Sequence, residues 1–386
     1  MQRKARRRRN KKEFFYDYTL LVIVLLLVCF GLVMLYSVSS YEANLDYGDP
    51  AYYLKKQIVS TAIGFGVMIF FNAVDYHRWE KYAALAYIVS NVAVLLVLSP
   101  IGKEVNGARR WLNVFGISVQ PAEMVKIAMI LLIAVLICKL GRGISSVKAF
   151  ICIIVIAGIP FLLIMEITSN LSSAIIVMGI AVLMCFVADP KYKKYFVLLF
   201  VVLAIAAVAV IGVYMIAQGQ EGTGNYRGDR VLAWLNPEAF SDDDGFQTLQ
   251  ALYAIGSGGI WGKGLGQSMQ KLGFLPEAQN DMVFSIICEE LGLFGAFCVI
   301  ILFLMLIWRF MFIANNAPDL FGAMLVVGVM AHFAIQVILN IAVVTNTIPN
   351  TGITLPFISY GGTSVVFLLA EIGLVLNVAG QIQIQD

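Results

Sequence analysis

Asp281 is the residue whose setting most directly predicts chemistry. It ends the polar stretch of residues 271–281 (KLGFLPEAQND), and an apolar run over residues 282–312 begins immediately after it. A carboxylate at the start of a membrane helix loses part of its hydration, which raises its pKa and favours proton acceptance. The alternative role is a helix N-cap, because aspartate is favoured there and its charge suits the helix dipole. The residue types alone leave both roles open.

An arginine pair forms a second polar cluster. Residues 106–111 (NGARRW) contain Arg109 and Arg110 next to Trp111. A planar guanidinium group can bind two phosphate oxygens at once, so the pair indicates an anion site. The same residues also suit an interfacial arginine and tryptophan belt. Both interpretations remain open, and the adjacent arginines favour anion binding.

A third cluster occupies residues 120–126 (QPAEMVK). Gln120 precedes Pro121, and proline is favoured as the first residue of a helix. Glu123 and Lys126 are then three residues apart and can form a pair on one helix face. A lysine below the membrane surface requires an anion. Spacing favours Glu123 as that anion, and Asp281 is the alternative.

The stretch before Asp281 contributes further polar candidates. Lys271 and Glu277 lie within it, and Glu289 and Glu290 follow in the apolar run. At 1.5 Å per residue, the two glutamates lie about 12 Å along the helix from Asp281. Carboxylates at that depth must be paired or must face a polar cavity.

Residues 349–363 (PNTGITLPFISYGGT) form the fourth cluster. Two prolines and three glycines exclude a continuous helix here. The apolar residues between them predict a segment that dips back into the protein and lines a cavity. Ser359, Tyr360 and Thr363 would then offer hydrogen-bond donors to a polar ligand.

The elements that must position these residues are membrane helices. Hydrophobic residues make up 60% of the 386 and charged residues 13%, which indicates an integral membrane protein. Runs of about 20 apolar residues predict an all-α polytopic fold with about ten spans. They lie near residues 18–40, 57–74, 82–99, 122–138, 149–166, 171–188, 195–217, 282–312, 320–344 and 362–382.

Charge predicts the orientation of the chain. Residues 1–16 are strongly basic, and further basic residues fall in alternate connections, namely Arg78, Lys81, Lys139, Arg142, Lys148, Lys191, Lys193 and Lys194. The positive-inside rule therefore predicts cytoplasmic N- and C-termini. The four polar clusters then lie outside, with residues 218–281 as a large extracellular loop between spans 7 and 8. We expect residues 1–386 to form a single transmembrane domain.

Several classes of protein are disfavoured. All six cysteines lie in apolar segments without a CxxC pair, so neither a disulfide scaffold nor a zinc site is indicated. The glycines of residues 256–266 lack the GxxxxGK[ST] pattern of a phosphate loop and are expected to form turns. A basic block beside a span indicates a topology and anionic-lipid anchor rather than nucleic-acid binding.

These motifs resemble the SEDS family (shape, elongation, division and sporulation) of bacterial membrane proteins. The resemblance covers nearly the whole chain, through residues 33–40 (VMLYSVSS), 107–112 (GARRWL), 120–123 (QPAE), 256–259 (GSGG), 262–266 (GKGLG), 275–277 (LPE), 289–292 (EELG) and 355–362 (LPFISYGG). Residues 33–40 and 355–362 favour the division-type branch, and the sporulation and elongation branches stay open. Asn170 stands where many members carry an acid, which puts a metal or catalytic role there in doubt.

The resemblance implies a peptidoglycan glycosyltransferase in the bacterial plasma membrane that polymerises lipid II, with its site on the extracytoplasmic face. The family's essential aspartate falls on Asp281, the expected base, and its buried lysine on Lys126, expected to orient that base. The other candidate substrate-binding residues are Arg109, Arg110, Gln120, Glu123, Lys271, Glu277, Ser359 and Thr363. A class B penicillin-binding protein (a transpeptidase) and other divisome membrane proteins are the implied partners, with no nucleic acid. No cofactor is obligatory, and a divalent cation, Mg²⁺ or Mn²⁺, stays open as a helper.

Two other functions compete with this one. A lipid II flippase would place its site near the membrane midplane, often between inverted repeats. The polar clusters gather on one face and no repeat is evident, which favours an enzyme, although the embedded Glu289, Glu290 and Glu371 keep transport open. A noncatalytic scaffold for division proteins would not require Asp281.

Overall fold

The computed structural model describes residues 17–105, 108–114, 117–217, 226–240 and 244–382. Helices dominate this part of the chain. They are α1 (Tyr18–Tyr47), α2 (Tyr52–Ala73), α3 (His77–Glu80), α4 (Ala83–Leu96), α5 (Pro121–Leu140), α6 (Val147–Ile167), α7 (Leu171–Ala188), α8 (Lys193–Ala217), α9 (Tyr226–Leu235), α10 (Asp244–Gly258), α11 (Val283–Asn316), α12 (Leu320–Val344) and α13 (Thr363–Ala379). Two 3₁₀ turns cover Gly141–Ser145 and Pro237–Phe240.

The prediction of an all-α polytopic membrane protein is confirmed. Within the described residues, eight helices are long and apolar enough to span a membrane, and α4 and α13 are shorter apolar helices at predicted span positions. α4 ends three residues earlier than the predicted span because its last turn tightens. Val97 N donates to Val94 O at 3.2 Å, and Leu98 N to Leu95 O at 3.1 Å, the bonding pattern of a 3₁₀ turn.

α1 begins and α13 ends at the same end of the helix bundle. Arg309, near the end of α11, pairs with Asp17 just before α1, with 2.7 Å between Nε and Oδ2. Asn377, near the end of α13, donates to the carbonyl of Asn72 at 2.5 Å. Asp281, just before α11, lies at the opposite end, which we call the Asp281 face. The basic segment of residues 1–16 lies outside the described residues.

The centre of the bundle is built around α12. Of its apolar window, 67% lies inside the protein, whereas α8 has 0%. Close packing around α12 depends on Gly328. A Cβ there would lie 2.6 Å from Ile130 of α5 and 3.0 Å from Met184 of α7. Small residues allow such close approach between membrane helices.

A small sheet, which the sequence did not predict, covers part of the Asp281 face. β1 (Gly102–Val105), β2 (Ala108–Val114) and β3 (Ile117–Val119) form an antiparallel sheet in the order β1-β2-β3. Its strands have three to seven residues, and the first hairpin contains an irregularity between Lys103 and Glu104. Strands this short carry too little alternation of apolar and polar residues to be recognised from sequence.

The stretch predicted as a large loop before α11 contains two α-helices and a 3₁₀ turn where it is described. α10 lies within it, and α9 precedes α10. Residues 218–225 and 241–243 lie outside the described residues. The glycine-rich part packs tightly against α11 near Gly292, whose backbone is non-helical at φ 68°. A Cβ at Gly262 would lie 2.2 Å from the carbonyl oxygen of Glu290, so these glycines permit a close backbone approach.

The predicted re-entrant segment is confirmed. Between α12 and α13 the chain is non-helical, and Leu355, Phe357 and Ile358 are buried. Phe357 packs against Phe333 in the middle of α12, with 5.5 Å between ring centroids. Its carbonyl oxygen approaches Gly31 in the middle of α1, where a Cβ would lie 2.2 Å away. The segment therefore reaches deep into the bundle and returns to the Asp281 face.

Candidate active site

Asp281 is buried immediately before α11, with 8% of its surface exposed. The cap residue of α11 is Met282 and no side chain caps the helix, so the alternative prediction of Asp281 as an N-cap is wrong. Burial, reinforced by the nearby Glu277 carboxylate, raises the pKa of Asp281 to about 7. A carboxylate with a pKa near neutrality can accept a proton from substrate and release it afterwards.

The re-entrant segment forms one wall beside this carboxylate. Gly352 adopts φ 69°, and a Cβ there would lie 3.7 Å from Oδ2 of Asp281. The Nδ2 of Asn340 donates both to the carbonyl of Asp281 at 2.8 Å and to that of Ile353 at 2.6 Å. Gln336, one helical turn earlier on α12, donates to the carbonyl of Thr354 at 3.0 Å. Side chains of α12 thus hold Asp281 and the segment together.

Several buried polar atoms without hydrogen-bond partners belong to Asp281, to the α12 residues that hold it and the re-entrant segment, and to the neighbouring chain. In the described part of the chain they include Asp281 Oδ1, Asn340 Oδ1, Gln336 Oε1, Thr351 Oγ1 and Gln279 Oε1. Most buried polar atoms in proteins are hydrogen-bonded, and each exception calls for an explanation. A ligand rich in hydroxyl groups could satisfy these acceptors, and a sugar is such a ligand.

Arg230 is the cation that the sequence analysis did not single out. It lies on α9, and its Nη1 donates to the carbonyl of Asn350 at 3.2 Å. Its positive charge acts to lower the pKa of Asp281, against the larger effect of burial. The signal that could have found it is an arginine in the long polar loop, in the middle of a short amphipathic helix.

Lys126 pairs within its own helix and not with Asp281. Its Nζ lies 2.7 Å from Oε1 of Glu123, and both side chains are buried. Ser364 of α13 donates to Oε2 of Glu123 at 3.3 Å. Among the described residues no ion pair joins Lys126 to Asp281, so the pairing that spacing favoured is the one observed. The pair ties α5 to the start of α13.

Three other residues predicted to bind substrate, Thr363, Gln120 and Ser359, lie in or next to connections between elements of the protein. Thr363 donates to the carbonyl of Ser118 at 3.1 Å and joins α13 to β3. The backbone of Gln120 is the N-cap of α5, and its side chain makes no cap hydrogen bond. Ser359 accepts a 2.8 Å hydrogen bond from the backbone N–H of Leu355 and braces the turn within the re-entrant segment.

Arg109 and Arg110 extend from β2. Arg109 is exposed and lies 3.3 Å from Glu104 on β1. Arg110 donates to the carbonyls of Thr168 at 3.1 Å and Ser169 at 3.0 Å, between α6 and α7. One arginine therefore remains on the surface of the sheet, while the other fastens the sheet to the bundle.

The embedded glutamates are paired, as expected. Glu290 lies 2.7 Å from Lys271, which also donates to Ser37 of α1 at 3.1 Å. Glu289 lies 2.6 Å from Lys263 of the glycine-rich turn. Lys271 is buried, so its charge compensates that of Glu290. The nearby Glu277 adopts φ 54° and accepts a hydrogen bond from Asn280.

In the part of the chain that the structure describes, no group of three or more His, Cys, Asp or Glu side chains could hold a metal ion. Asn170 accepts a 3.0 Å hydrogen bond from the backbone N–H of Ser173 and caps α7. An uncharged amide is sufficient for that capping role.

Comparison with known families gives a match over almost the whole chain. Residues 18–383 match the family model of FtsW, RodA and SpoVE, described as "Cell cycle protein". The chain is 38% identical over 356 residues to Stage V sporulation protein E of Bacillus subtilis, covering 92% of this chain and 94% of that protein. It is 36% identical over 357 residues to a probable peptidoglycan glycosyltransferase FtsW of Geobacter metallireducens, covering 92% of each.

Two solved structures share the fold. One is a chain from a peptidoglycan synthase complex studied for its coordination of polymerization and crosslinking, with a TM-score of 0.76 and 26% identity over 95% of this chain and 98% of that one. The other is the rod shape determining protein RodA of Thermus thermophilus. It has a TM-score of 0.68 and 26% identity over 96% of this chain and 98% of that one.

Proposed function

This chain belongs to the cell cycle protein family of FtsW, RodA and SpoVE, and on that premise we propose that it is a peptidoglycan glycosyltransferase that polymerises lipid II into glycan strands. Curated relatives are named as peptidoglycan glycosyltransferases. The observation that carries the mechanism is a buried Asp281 with a pKa of about 7, one unpartnered carboxylate oxygen, and a wall of unpartnered polar atoms.

The proposed reaction is a direct displacement. The 4-hydroxyl of the acceptor GlcNAc attacks C1 of the donor MurNAc, and Asp281 takes the hydroxyl proton. The new C1–O bond forms as the bond to undecaprenyl pyrophosphate breaks, and the electron pair leaves with the pyrophosphate. An α-linked donor gives a β-linked product, so the transfer inverts the configuration and needs no covalent enzyme intermediate.

The departing pyrophosphate requires positive charge. Lys126 and Lys271 are compensated by buried glutamates, which supports positioning roles for both. Arg230 and the arginines of β2 are the proposed pyrophosphate contacts, because a guanidinium group binds two phosphate oxygens at once. A Mg²⁺ or Mn²⁺ ion, where one assists, would be carried on the pyrophosphate, since the described side chains do not supply a metal site.

The proposal also includes a partner protein and the orientation of the chain in the membrane. A chain of similar fold belongs to a peptidoglycan synthase complex that couples polymerization to crosslinking, which supports a class B penicillin-binding protein as partner. The positive-inside rule supports an extracytoplasmic Asp281 face. Relatives include both sporulation and FtsW proteins. The process is therefore peptidoglycan synthesis in division, sporulation or elongation, and residues 33–40 and 355–362 favour division.

The test is polymerisation of lipid II by the purified protein, with and without its transpeptidase partner. Asp281→Asn should reduce polymer formation about 10²–10⁴-fold, the usual contribution of a general base. Asp46→Asn is the matched control, because Asp46 is exposed, and it should retain activity. If the Asp281→Asn variant forms a near-normal amount of polymer, Asp281 is not the base. Translocation of lipid II in vesicles without polymer formation would favour the flippase. The absence of both activities would favour a scaffold.

A further inference from the structure

A basic groove lies at the start of α8, on the face opposite the Asp281 face. It encloses about 590 Å³ and is bounded by the turn before α6 and the connection from α7 to α8. Its lining residues are Ser145, Val147, Pro190, Lys191, Tyr192, Lys193, Lys194 and Phe196. We call it the α8 groove. It is separate from Asp281 and has no part in the proposed transfer reaction.

The groove carries uncompensated positive charge. Its nearest acid, Asp189, has a fully buried side chain that pairs with Lys194 at 2.6 Å and accepts a hydrogen bond from Ser145 at 2.8 Å. One acid therefore neutralises one lysine. Lys191 and Lys193 are exposed, and among the described residues neither ammonium group has a partner. Two free lysines thus project at the rim of a concave surface.

The backbone adds to this charge. α6 begins at Val147 and α8 at Lys193, so two long helices present their N-terminal ends to the same groove. Neither helix has an acidic residue in its first turn. No acid in either first turn offsets the partial positive charge of these helix ends, a general feature of helix N-termini, and this charge reinforces the attraction that the lysines exert on an anion.

The groove opens toward the space that lipid occupies. Tyr195 anchors the first turn of α8 against Phe150 of α6 and Phe186 of α7, with ring centroids 5.2 and 5.4 Å apart. Beyond that anchor, no residue in the apolar window of α8 is buried inside the protein. A molecule bound in the groove by a charged group could therefore extend apolar chains directly along α8.

We propose that the α8 groove binds the phosphate headgroup of an anionic phospholipid from the leaflet opposite the Asp281 face, with its acyl chains along α8. Lys191 and Lys193 contact the phosphate, and the exposed rings of Tyr192 and Phe196 lie at the level of the glycerol and upper chains. Basic pockets between helices on the cytoplasmic side of membrane proteins bind such headgroups. The lipid then stabilises the position of α8, which few protein contacts hold.

The test is a titration of the full-length, detergent-solubilised protein with dioleoyl phosphatidylglycerol, measured by native mass spectrometry. One tightly bound lipid is expected, with phosphatidylcholine bound at least tenfold more weakly. Lys191→Ala/Lys193→Ala should weaken phosphatidylglycerol binding about 30-fold, the factor that corresponds to ~1 kcal/mol for each of two lysines. Lys191→Arg/Lys193→Arg keeps the charge and should retain binding.

A matched control variant distinguishes binding in the α8 groove from a nonspecific effect of positive charge on this face. Arg78 and Lys81 are exposed on the same face and do not line the groove, so Arg78→Ala/Lys81→Ala should bind like the unaltered protein. Equal losses in the two alanine pairs, or equal binding of the two lipids, would overturn the proposal. Displacement of the lipid by millimolar inorganic phosphate would also overturn it, since the groove would then be a site for the free anion. Equal melting temperatures confirm that the variants are folded.

Discussion

The side chain of Asn340 holds the backbone of Asp281. Its Nδ2 donates at 2.8 Å to the carbonyl oxygen of Asp281 and at 2.6 Å to that of Ile353. Asn340 is fully buried about one turn before the C-terminal end of α12. A rigid helix thus fixes both the segment that carries the carboxylate and the re-entrant wall opposite it. The position of the proposed base therefore depends on a residue that need not touch substrate.

Asn340→Leu tests this positioning role. The substitution keeps the approximate volume but leaves two buried carbonyl groups without their donor, which costs about 1–3 kcal/mol per group. We expect a lower melting temperature and at least a tenfold loss of the polymerisation rate. Asn91→Leu is the control, because Asn91 donates to the carbonyl of Tyr87 within its own helix. Unchanged polymerisation by the Asn340 variant would contradict the role.

The pH dependence of polymerisation should follow Asp281. A base must be ionised to accept a proton, so the rate should fall as pH drops below about 7, where the raised pKa of Asp281 lies. The like charge of Glu277 contributes to that rise. Glu277→Gln should therefore move the acidic limb of the pH–rate profile to lower pH, and Glu104→Gln on the exposed sheet should not. If the acidic limb of the Glu277→Gln variant does not move, Glu277 does not contribute to the pKa of Asp281.

The buried pair of Lys126 and Glu123 should behave as a unit. Lys126→Met leaves a buried carboxylate without its cation, and breaking such a pair costs about 3–5 kcal/mol. The double variant Lys126→Met/Glu123→Gln removes both charges and should recover part of the melting temperature. If polymerisation recovers in parallel, Lys126 acts through structure. Loss of activity in a thermally recovered double variant would instead show that the ammonium group contacts substrate.

Gly31 should be intolerant of any side chain. A Cβ there would lie 2.2 Å from the carbonyl oxygen of Phe357, so Gly31→Ala must displace the re-entrant segment or α1. Overpacking of this kind costs about 1–3 kcal/mol. We expect lower thermal stability and a large loss of polymerisation. Gly66→Ala on α2 meets no atom within 4 Å and should be neutral. Wild-type behaviour of the Gly31 variant would contradict the close contact.

Much of this arrangement could be predicted because it depends on local chemistry. Apolar runs predicted the eight long apolar helices and the two shorter ones, α4 and α13, and the prolines and glycines of residues 349–363 predicted the re-entrant segment. The three short strands of the sheet escaped prediction because their pattern is too brief. Arg230 escaped because nothing in its own neighbourhood indicates that α9 folds back toward Asp281.

The sequence by itself determined that the chain spans a membrane, which residues gather on one face, and that Asp281 lies where a polar loop meets an apolar helix. These properties follow from hydration, since every residue between two polar connections must tolerate lipid. Only the tertiary structure decided the partners that lie on different elements, namely Lys271 with Glu290 and Asn340 with the backbone of Asp281. The pairing of Lys126 with Glu123 is the one that their spacing favoured. A buried charge pairs with the opposite charge that the fold brings closest to it. Spacing within one helix can predict that partner, but packing between helices selects it when it lies elsewhere in the chain.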